Sequence, residues 1–342
     1  MSAPRRVPGI RLFDRPAEET RAFPIADGLW QLRLPVPYYP DVTVNAFLLS
    51  KGDGWCLVDC GSSLPPGWDG LVHAIAQAGV RPDEVELLVC THTHSDHYGC
   101  AATVLERIGC PLALGPGGTA VIDQLRDPHR PHADRLALAE RAGVPAELRE
   151  VMVLHPGDDG HHPQPQADIL LEHGERLEAA GASWLVVPTP GHAPNQIALV
   201  DELSRTVISA DLLVLRQLPF LQYDDVVEDP WYDLLQSIDR VRAYRPELLL
   251  PGHGPPVRDP DARFAEARKL LEVAPALVLG ILRARPRTAW EIVLEAVPEN
   301  EPYTLQQTAL VATLAILRRL HTAGEVEVAD EDASGAEIHR AA

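Results

Sequence analysis

The chain has 342 residues, of which 46% are hydrophobic and 23% charged, and its formal net charge is −19. This length predicts more than one structural unit, and the composition is typical of soluble proteins with a sizeable core. The acidic charge repels phosphate backbones, so nucleic acid is not the expected partner. No run approaches the roughly 20 apolar residues of a membrane span. The five cysteines include no Cys-x-x-Cys pair, so we expect no disulfides and a cytoplasmic location.

The first half of the chain is rich in short apolar or alternating runs that predict β-strands. These runs lie at residues 28–34, 42–49, 55–59 and 85–90. A helix is predicted at 68–78 because an apolar segment with helical spacing ends at Gly79. Residues 116–173 differ, since helical pieces alternate there with loops rich in proline, histidine and aspartate. We predict an insertion that caps the functional site, because long loops in compact domains are usually functional or disordered.

Strands resume in the second half, and the C-terminal part is almost entirely helical. Strands are predicted at 183–188, 197–200, 206–210 and 248–250, and helices at 232–243, 262–279, 288–294 and 305–322. A short alternating run follows at 324–328, and the final residues are polar, which is typical of a frayed end. The predicted units are an N-terminal extension (1–22), a mixed α/β domain (23–258), a C-terminal helical domain (259–330) and a frayed tail (331–342).

A cluster of potential metal ligands follows the apolar run at 85–90. His92, His94, Asp96 and His97 come within six residues, where a strand that ends in a tight turn can direct several side chains into one pocket. Imidazole nitrogens and carboxylates are ligands that suit zinc and similar divalent ions. A chance surface cluster is the alternative explanation, and residues further along the chain argue against it.

Three more potential ligands, His192, Asp211 and His253, each lie at or just after the C-terminal end of a short apolar strand. In open α/β sheets this is the edge where ligand groups collect. Asp59 also ends a strand, and it is a candidate to orient a ligand histidine or a water molecule. Together these residues predict a metal site rather than a set of structural histidines.

The order His-x-His-x-Asp-His, a later Gly-His, an aspartate after a strand and a final Gly-His resembles the metallo-β-lactamase superfamily over residues 25–256. The resemblance implies an α/β fold, the αβ/βα sandwich of two mixed sheets with helices outside. It also implies two divalent metal ions, zinc in the first place and manganese or iron as alternatives. One ion would be held by His92, His94 and His192, the other by Asp96, His97 and His253, with Asp211 bridging them and Asp59 matching the aspartate of the first family motif.

The same resemblance implies a binuclear hydrolase that uses a metal-bridging hydroxide, with Asp96 and Asp211 as catalytic carboxylates. Penicillin-hydrolysing members typically lack an aspartate at the position of Asp211. The chain therefore looks like the branch with glyoxalase II, lactonases and the RNase Z relatives. We predict small esters, thioesters or lactones as substrates, with weak promiscuous β-lactamase activity. A purely structural metal site is disfavoured, because a saturated structural zinc needs no second metal beside it.

Two further features bear on the substrate. Asn195 and Gln196 stand where many relatives have Gly-His, which alters the polar groups near the metals and puts the glyoxalase II substrate in doubt. Tyr38, Tyr223 and Tyr232 lie in apolar segments predicted to flank the metals. They are candidates to contact the substrate, with core packing as the alternative for each.

The C-terminal domain resembles the winged-helix module of some superfamily members, including an endoribonuclease-like group. Arginines in this module could form a basic patch, but several glutamates lie in the same module, so packing against the catalytic domain or a second copy is the expected use. A phosphodiesterase, endoribonuclease or phosphotriesterase is the alternative function, and a homodimer is an assembly that such packing would give. The arginines are Arg283, Arg285, Arg287, Arg318 and Arg319.

Overall fold

The computed structural model describes residues 16–37, 42–125, 130–153, 165–213, 221, 227–297 and 303–342. Within these ranges two β-sheets pack against each other, and helices cover the outer face of each sheet. The αβ/βα sandwich predicted from the sequence is confirmed. None of the helices described is long and apolar enough to cross a membrane.

The first sheet contains seven strands that lie side by side in chain order. They are β1 (Arg21–Ala26), β2 (Leu29–Pro35), β3 (Thr43–Lys51), β4 (Gly54–Val58), β5 (Val85–Cys90), β6 (Leu112–Leu114) and β7 (Ile169–Leu170). The first four pair antiparallel, and β4 to β7 pair in parallel. Parallel neighbours need long crossover connections. These contain α1 (Gly67–Gln77) before β5, and α2 (Ser95–Tyr98) and α3 (Ala101–Ile108) before β6.

The described part of residues 116–173 contains three helices, but it also supplies the edge strand β7. The helices are α4 (Gly118–Leu125), α5 (Arg130–Arg141) and α6 (Ala146–Val153). Because Ile169 and Leu170 pair with β6, the predicted insertion extends a few residues too far into the sheet. A strand of two residues is too short to give a periodic signal. The role of this segment as a cap stays a prediction.

The second sheet has five strands in the order β12-β11-β10-β9-β8. They are β8 (Arg176–Ala179), β9 (Ala182–Pro188), β10 (Ile197–Asp201), β11 (Thr206–Ala210) and β12 (Leu248–Pro251). Strands β8 to β11 form an antiparallel meander, whereas β12 is parallel to β11 and is reached through α7 (Pro230–Arg242). Helix α7 begins where the carboxylate of Asp229 accepts a hydrogen bond from the backbone N–H of Tyr232.

Successive side chains of a strand point to opposite faces of the sheet, so they belong to different hydrophobic cores. In β5, Leu88 and Cys90 join a core with α1 and α3, while Leu87 and Val89 join the core between the two sheets. Strand β5 is therefore apolar on both faces, as its continuous apolar run predicts. The five cysteines are all free and buried, so they pack as small apolar residues.

Three helices and a β-hairpin form the C-terminal part of the chain. They are α8 (Pro260–Ala284), α9 (Ala289–Ala296), α10 (Tyr303–Thr322), β13 (Val326–Glu331) and β14 (Glu337–Ala341). Leu282 of α8 and Leu317 of α10 share one hydrophobic core with Val187 and Val207 of the second sheet. The C-terminal helices therefore pack on the outer face of that sheet and do not form a separate core.

The predicted frayed tail at 331–342 is wrong, because Glu337–Ala341 form the second strand of the hairpin and Glu331 ends the first. His339 and Arg287 exchange two backbone hydrogen bonds, with N···O distances of 3.0 and 2.8 Å. The hairpin turn is closed by Asp332, whose carboxylate accepts hydrogen bonds from the backbone N–H groups of Ser334 and Ala336. The pairing with Arg287 joins residues far apart in the chain, so the local polar pattern could not reveal it.

His339 should make this hairpin sensitive to acid. Its ring is buried, and its Nδ1 lies 3.0 Å from Nε2 of His321. Burial and the neighbouring His321 lower the pKa of His339 to about 4. The unfolded chain binds this proton at a pKa of about 6.5, so stability is lost as the pH falls from that value towards 4. We predict that the free energy of unfolding falls about 2 kcal/mol more between pH 7 and 5 in the wild type than in His339→Gln.

Urea unfolding at both pH values, with the proteins in the same metal state, measures this difference. The matched control is His173→Gln, because His173 is an exposed histidine. The control should keep the pH dependence of the wild type. Equal pH dependence in wild type and His339→Gln would contradict the prediction.

Candidate metal centre

The first cluster of candidate ligands lies on the turn that connects β5 to α2. Strand β5 ends at Cys90, and α2 begins at Ser95 with His94 as its N-cap residue. His92 and His97 are fully buried, whereas His94 and Asp96 are partly exposed. The short turn thus directs several ligand groups into one pocket, as their spacing predicts.

The first group of candidate ligands consists of three histidines. Nδ1 of His94 lies 3.1 Å from Nε2 of His92 and 2.8 Å from Nε2 of His192. His192 follows β9, so this group joins the two sheets. The three nitrogens lie within 4.8 Å of one another, close enough to share one metal ion.

The second group contains Asp96, His97 and His253. Oδ2 of Asp96 lies 3.8 Å from Nε2 of His97 and 3.3 Å from Nε2 of His253. His253 follows β12 of the second sheet, so this group also joins the two sheets. Its ligand atoms likewise lie within 4.8 Å of one another.

Asp211 lies between the two groups, at the end of β11. Its Oδ1 is 3.4 Å from Nε2 of His97, and its Oδ2 is 3.5 Å from Nε2 of His192 and 3.2 Å from Nε2 of His253. One carboxylate therefore contacts a histidine of the first group and two of the second. This is the position from which a carboxylate can bridge two ions.

The ligand histidines are oriented from behind by neighbouring polar groups. Nδ1 of His97 lies 2.8 Å from Oδ2 of Asp59, which also accepts a hydrogen bond from the Thr91 hydroxyl at 2.9 Å. That hydroxyl lies 3.1 Å from Nδ1 of His92, and Nδ1 of His253 donates to the carbonyl of Thr43 at 2.8 Å. When the Nδ1 side is engaged in this way, the Nε2 lone pair is available to a metal. Asp59 therefore lies where the sequence predicts an orienting residue.

The electric field of the site favours positive charge. Burial opposes charge on His97, but the carboxylates of Asp211, Asp96 and Asp59 raise its pKa well above the usual range. Burial opposes charge on His253 as well, yet Asp211 and Asp96 raise its pKa to about 10. Cations in this pocket would take the place of those protons and neutralise the carboxylates.

The residues fit divalent metal ions. Nε2 of His97 and Oδ1 of Asp211 are buried and have no hydrogen-bond partner among the described residues. A buried polar atom without a partner carries a free-energy cost, and ligation by an ion would remove that cost. Imidazole nitrogens together with carboxylate oxygens are the donor set of zinc and of other first-row divalent metals.

The predicted substrate-contacting tyrosines are only partly represented in the structure. Tyr38 and Tyr223 lie outside the described residues. Tyr232 lies in the first turn of α7, is 44% exposed, and has the guanidinium of Arg319 5.2 Å from its ring centroid. Contact between Tyr232 and a substrate stays a prediction.

Sequence reasoning missed several polar residues that support the site. Gln196, noted only as a departure from the family pattern, accepts a hydrogen bond from the backbone N–H of Asp211 at 3.3 Å and donates to the carbonyl of Thr189 at 3.1 Å. Asn45 contacts the loop that carries His253. For Asn45 the available signal was a polar residue inside an otherwise apolar strand, since buried polar side chains need partners.

Comparison with known proteins identifies the family. The sequence profile of the metallo-beta-lactamase superfamily matches residues 39–253, which contain all the candidate ligands. The chain belongs to this superfamily. It is a metal-dependent hydrolase, in agreement with relatives that carry the name probable metallo-hydrolase.

Relatives and solved structures match over most of the chain. The chain is 26% identical over 294 residues to the probable metallo-hydrolase YqjP of Bacillus subtilis, covering 81% of this chain and 89% of that protein. A metallo-beta-lactamase family protein from Thermus thermophilus has a TM-score of 0.78 and 27% identity, covering 93% of this chain and 100% of that one. A beta-lactamase domain protein from Burkholderia ambifaria has a TM-score of 0.75 and 25% identity, with 94% and 95% covered. These structural matches extend beyond the family profile into the C-terminal helices.

Gly252 provides a test of how tightly the site is packed. A Cβ atom at this position would lie 2.0 Å from Oδ1 of Asp211 and 2.7 Å from Cε1 of His97. We predict that Gly252→Ala displaces both side chains and loses at least one bound metal ion per chain. Metal content measured by mass spectrometry after dialysis checks this outcome.

Gly280→Ala is the matched control for this variant. A Cβ atom on Gly280, an exposed residue of α8, would meet nothing within 4 Å. This control should keep the wild-type metal content and gain about 1 kcal/mol of stability from helix propensity. Full metal content in Gly252→Ala would show that the site can accommodate the methyl group.

Proposed function

We propose that this metallo-hydrolase is binuclear and that it hydrolyses small esters, thioesters or lactones. The observation that carries the proposal is the position of Asp211, whose two carboxylate oxygens contact histidines of both ligand groups. A site for a single ion would not need a second complete set of ligands beside it.

In this proposal each ligand group would hold one divalent ion, and Asp211 would be a ligand shared between the two groups. Zinc is the expected metal because nitrogen ligands predominate, and manganese and iron are the alternatives. Bound ions would supply the electrophile that polarises the scissile carbonyl and would lower the pKa of the attacking water. The ligand sets are His92, His94 and His192 for the first ion, and Asp96, His97 and His253 for the second.

Asp96 and Asp211 have different proposed roles, which follow from their different exposure. The side chain of Asp96 is 16% exposed, whereas that of Asp211 is 5% exposed. Asp96 is therefore the carboxylate placed to take up and pass on a proton, and Asp211 holds the two groups together. The side chain of His253 is 21% exposed, so we expect substrate to approach from the side of Asp96 and His253.

The substrate class rests on Asp211 and on charge. An aspartate at this position is what the resemblance associates with the glyoxalase II, lactonase and RNase Z branch rather than with penicillin hydrolysis. The formal net charge of −19 also favours a neutral or weakly charged substrate over a polyanion. A small ester, thioester or lactone meets this requirement, because its reacting carbonyl carries no net charge.

The arginines of the C-terminal helices offer little support for the nucleic-acid alternative. Arg287 forms an ion pair with Glu295 at 2.6 Å, and Arg319 with Asp229 at 2.9 Å. These pairs neutralise charge that would otherwise contact phosphates. The helices and hairpin resemble a winged helix in element order, and we propose that they serve in packing, within the chain or in a homodimer.

Removal and return of metal tests the proposed function. We predict that dialysis against a strong chelator abolishes hydrolysis of the active ester, thioester or lactone, and that two equivalents of zinc per chain restore it. The substrate panel should include phosphodiesters, phosphotriesters and a penicillin. Preferential cleavage of a phosphodiester, or full activity in the chelated protein, would overturn the proposal.

Asp211→Asn tests the bridging role. The amide keeps the shape of the side chain but removes its charge, so we predict loss of most of one metal ion and at least about a 100-fold lower kcat. Asp201→Asn is the matched control, because Asp201 is another buried aspartate of the second sheet, and its carboxylate hydrogen-bonds only within its own turn among the described contacts. Two tightly bound ions and normal kcat in Asp211→Asn would contradict the bridging role.

A further inference from the structure

Strand β3 supplies no candidate metal ligand, yet it holds the loop that carries His253. We propose that Asn45 is a positioning residue that sets the affinity of the second ligand group through His253. This inference rests on the proposed binding of metal by that group. It assigns to a buried amide of the first sheet the task of fixing a ligand that belongs to the second sheet.

The side-chain amide of Asn45 connects the two ends of the His253 loop. Its Nδ2 donates hydrogen bonds to the carbonyls of Pro251 and Gly254, both at 2.8 Å. The backbone N–H of Asn45 donates to the carbonyl of Gly252 at 2.7 Å. Three carbonyls of a four-residue loop are therefore held by one residue of β3.

His253 itself contacts the same strand. Nδ1 of its ring donates to the carbonyl of Thr43 at 2.8 Å, and Val44 forms an isolated β-bridge with His253. The backbone and ring of the ligand are thus aligned against β3, so that Nε2 points to Asp96 and Asp211 at 3.3 and 3.2 Å. A shift of the loop would move this nitrogen away from the carboxylates.

A second buried amide fixes the orientation of the first. Nε2 of Gln31 donates to Oδ1 of Asn45 at 2.7 Å, and both side chains are almost fully buried. Oδ1 of Asn45 is thereby engaged as an acceptor, which leaves both hydrogens of Nδ2 for the two loop carbonyls. Only an amide supplies two donors and one acceptor in this planar arrangement. An aspartate of the same shape would supply acceptors alone.

The other ligand group is held by different parts of the chain. His92 and His94 follow β5, and His192 follows β9. The hydrogen bonds described for Asn45 run to Gln31 and to the loop 251–254, and none of them reaches these histidines. A change at Asn45 should therefore weaken the second group and leave the first unchanged.

Asn45→Asp tests this selectivity in the full-length protein. The carboxylate would face two carbonyl oxygens without a hydrogen to donate, so the loop should move away from β3. We predict that titration of the metal-free protein with zinc shows an unchanged first binding event. The second binding event should be weakened about 10- to 100-fold, as is typical when a residue that hydrogen-bonds to a metal ligand is changed.

Leu48→Ala separates positioning from a general loss of stability. Leu48 lies on the same strand and is fully buried in the core with α1 and α3, away from the His253 loop. This variant should lower the free energy of unfolding and leave both zinc affinities as in the wild type. A purely structural role for Asn45 predicts that both variants change zinc binding alike, and that result would overturn the inference.

Gln31→Leu extends the test in case Asn45→Asp does not fold. It removes the donor that orients the Asn45 amide and that also lies 3.4 Å from the carbonyl of Gly254 in the same loop. A smaller loss of affinity confined to the second ion is expected. A double-mutant cycle then tests whether the effect of Asn45 on zinc affinity passes through His253. In a His253→Ala background, the change at Asn45 should cause no further loss of zinc affinity, because the proposed effect passes through His253. A further loss of similar size would overturn the inference.

The outcomes for the proposed function and for this inference can be distinguished. A wild-type protein that binds only one zinc ion would overturn the binuclear proposal. The inference would then be judged from the ¹⁵N resonances of the His253 ring in the metal-free protein. Asn45→Asp should shift them and Leu48→Ala should not; unshifted resonances in Asn45→Asp would overturn the positioning role.

Discussion

The presence of three carboxylates in one pocket, two of them buried and Asp96 partly exposed, is the constraint on which the rest of the site depends. Asp59, Asp96 and Asp211 all contact His97, at 2.8, 3.8 and 3.4 Å. Buried carboxylates are unstable unless positive charge and hydrogen bonds compensate them. The raised pKa values of His97 and His253 are one response to this field. Divalent ions would compensate the charge of the carboxylates more strongly, and the candidate ligand atoms lie close enough together to hold them.

The sandwich fold brings these charges together because the ligands come from both sheets. The turn after β5 belongs to the first sheet, whereas Asp211, His192 and His253 follow strands of the second sheet. The distance between the two sets is fixed by the core between the sheets, where Val89 packs with Ile208 and Leu250. Close-packed interiors transmit small displacements, so the geometry of the site depends on apolar residues that contact no ligand.

The elements that could be predicted from the sequence are those whose residues form a recognisable local pattern. Each candidate ligand follows an apolar strand and stands in a turn, so its place at the sheet edge could be inferred, and the family pattern supplied the pairing of ligands. Asn45 was missed because its partners lie on a loop some two hundred positions later, and no local pattern encodes such a contact. The second strand of the C-terminal hairpin was missed although it pairs locally with β13, because its polar residues form no apolar run; only its bridge to Arg287 is distant in the chain.

The C-terminal helices bear on the site through α7. Gly191, which precedes a candidate ligand, packs so closely on this helix that a Cβ atom would lie 2.5 Å from the backbone nitrogen of Leu234. The hydroxyl of Ser237 donates to the carbonyl of Pro190 at 2.8 Å. On its other side, α7 is held by the indole N–H of Trp231, which donates to a carbonyl of α8 at 3.0 Å. A continuous series of contacts therefore runs from α8 to the loop of His192. The helices that share a core with the second sheet therefore also support this ligand loop.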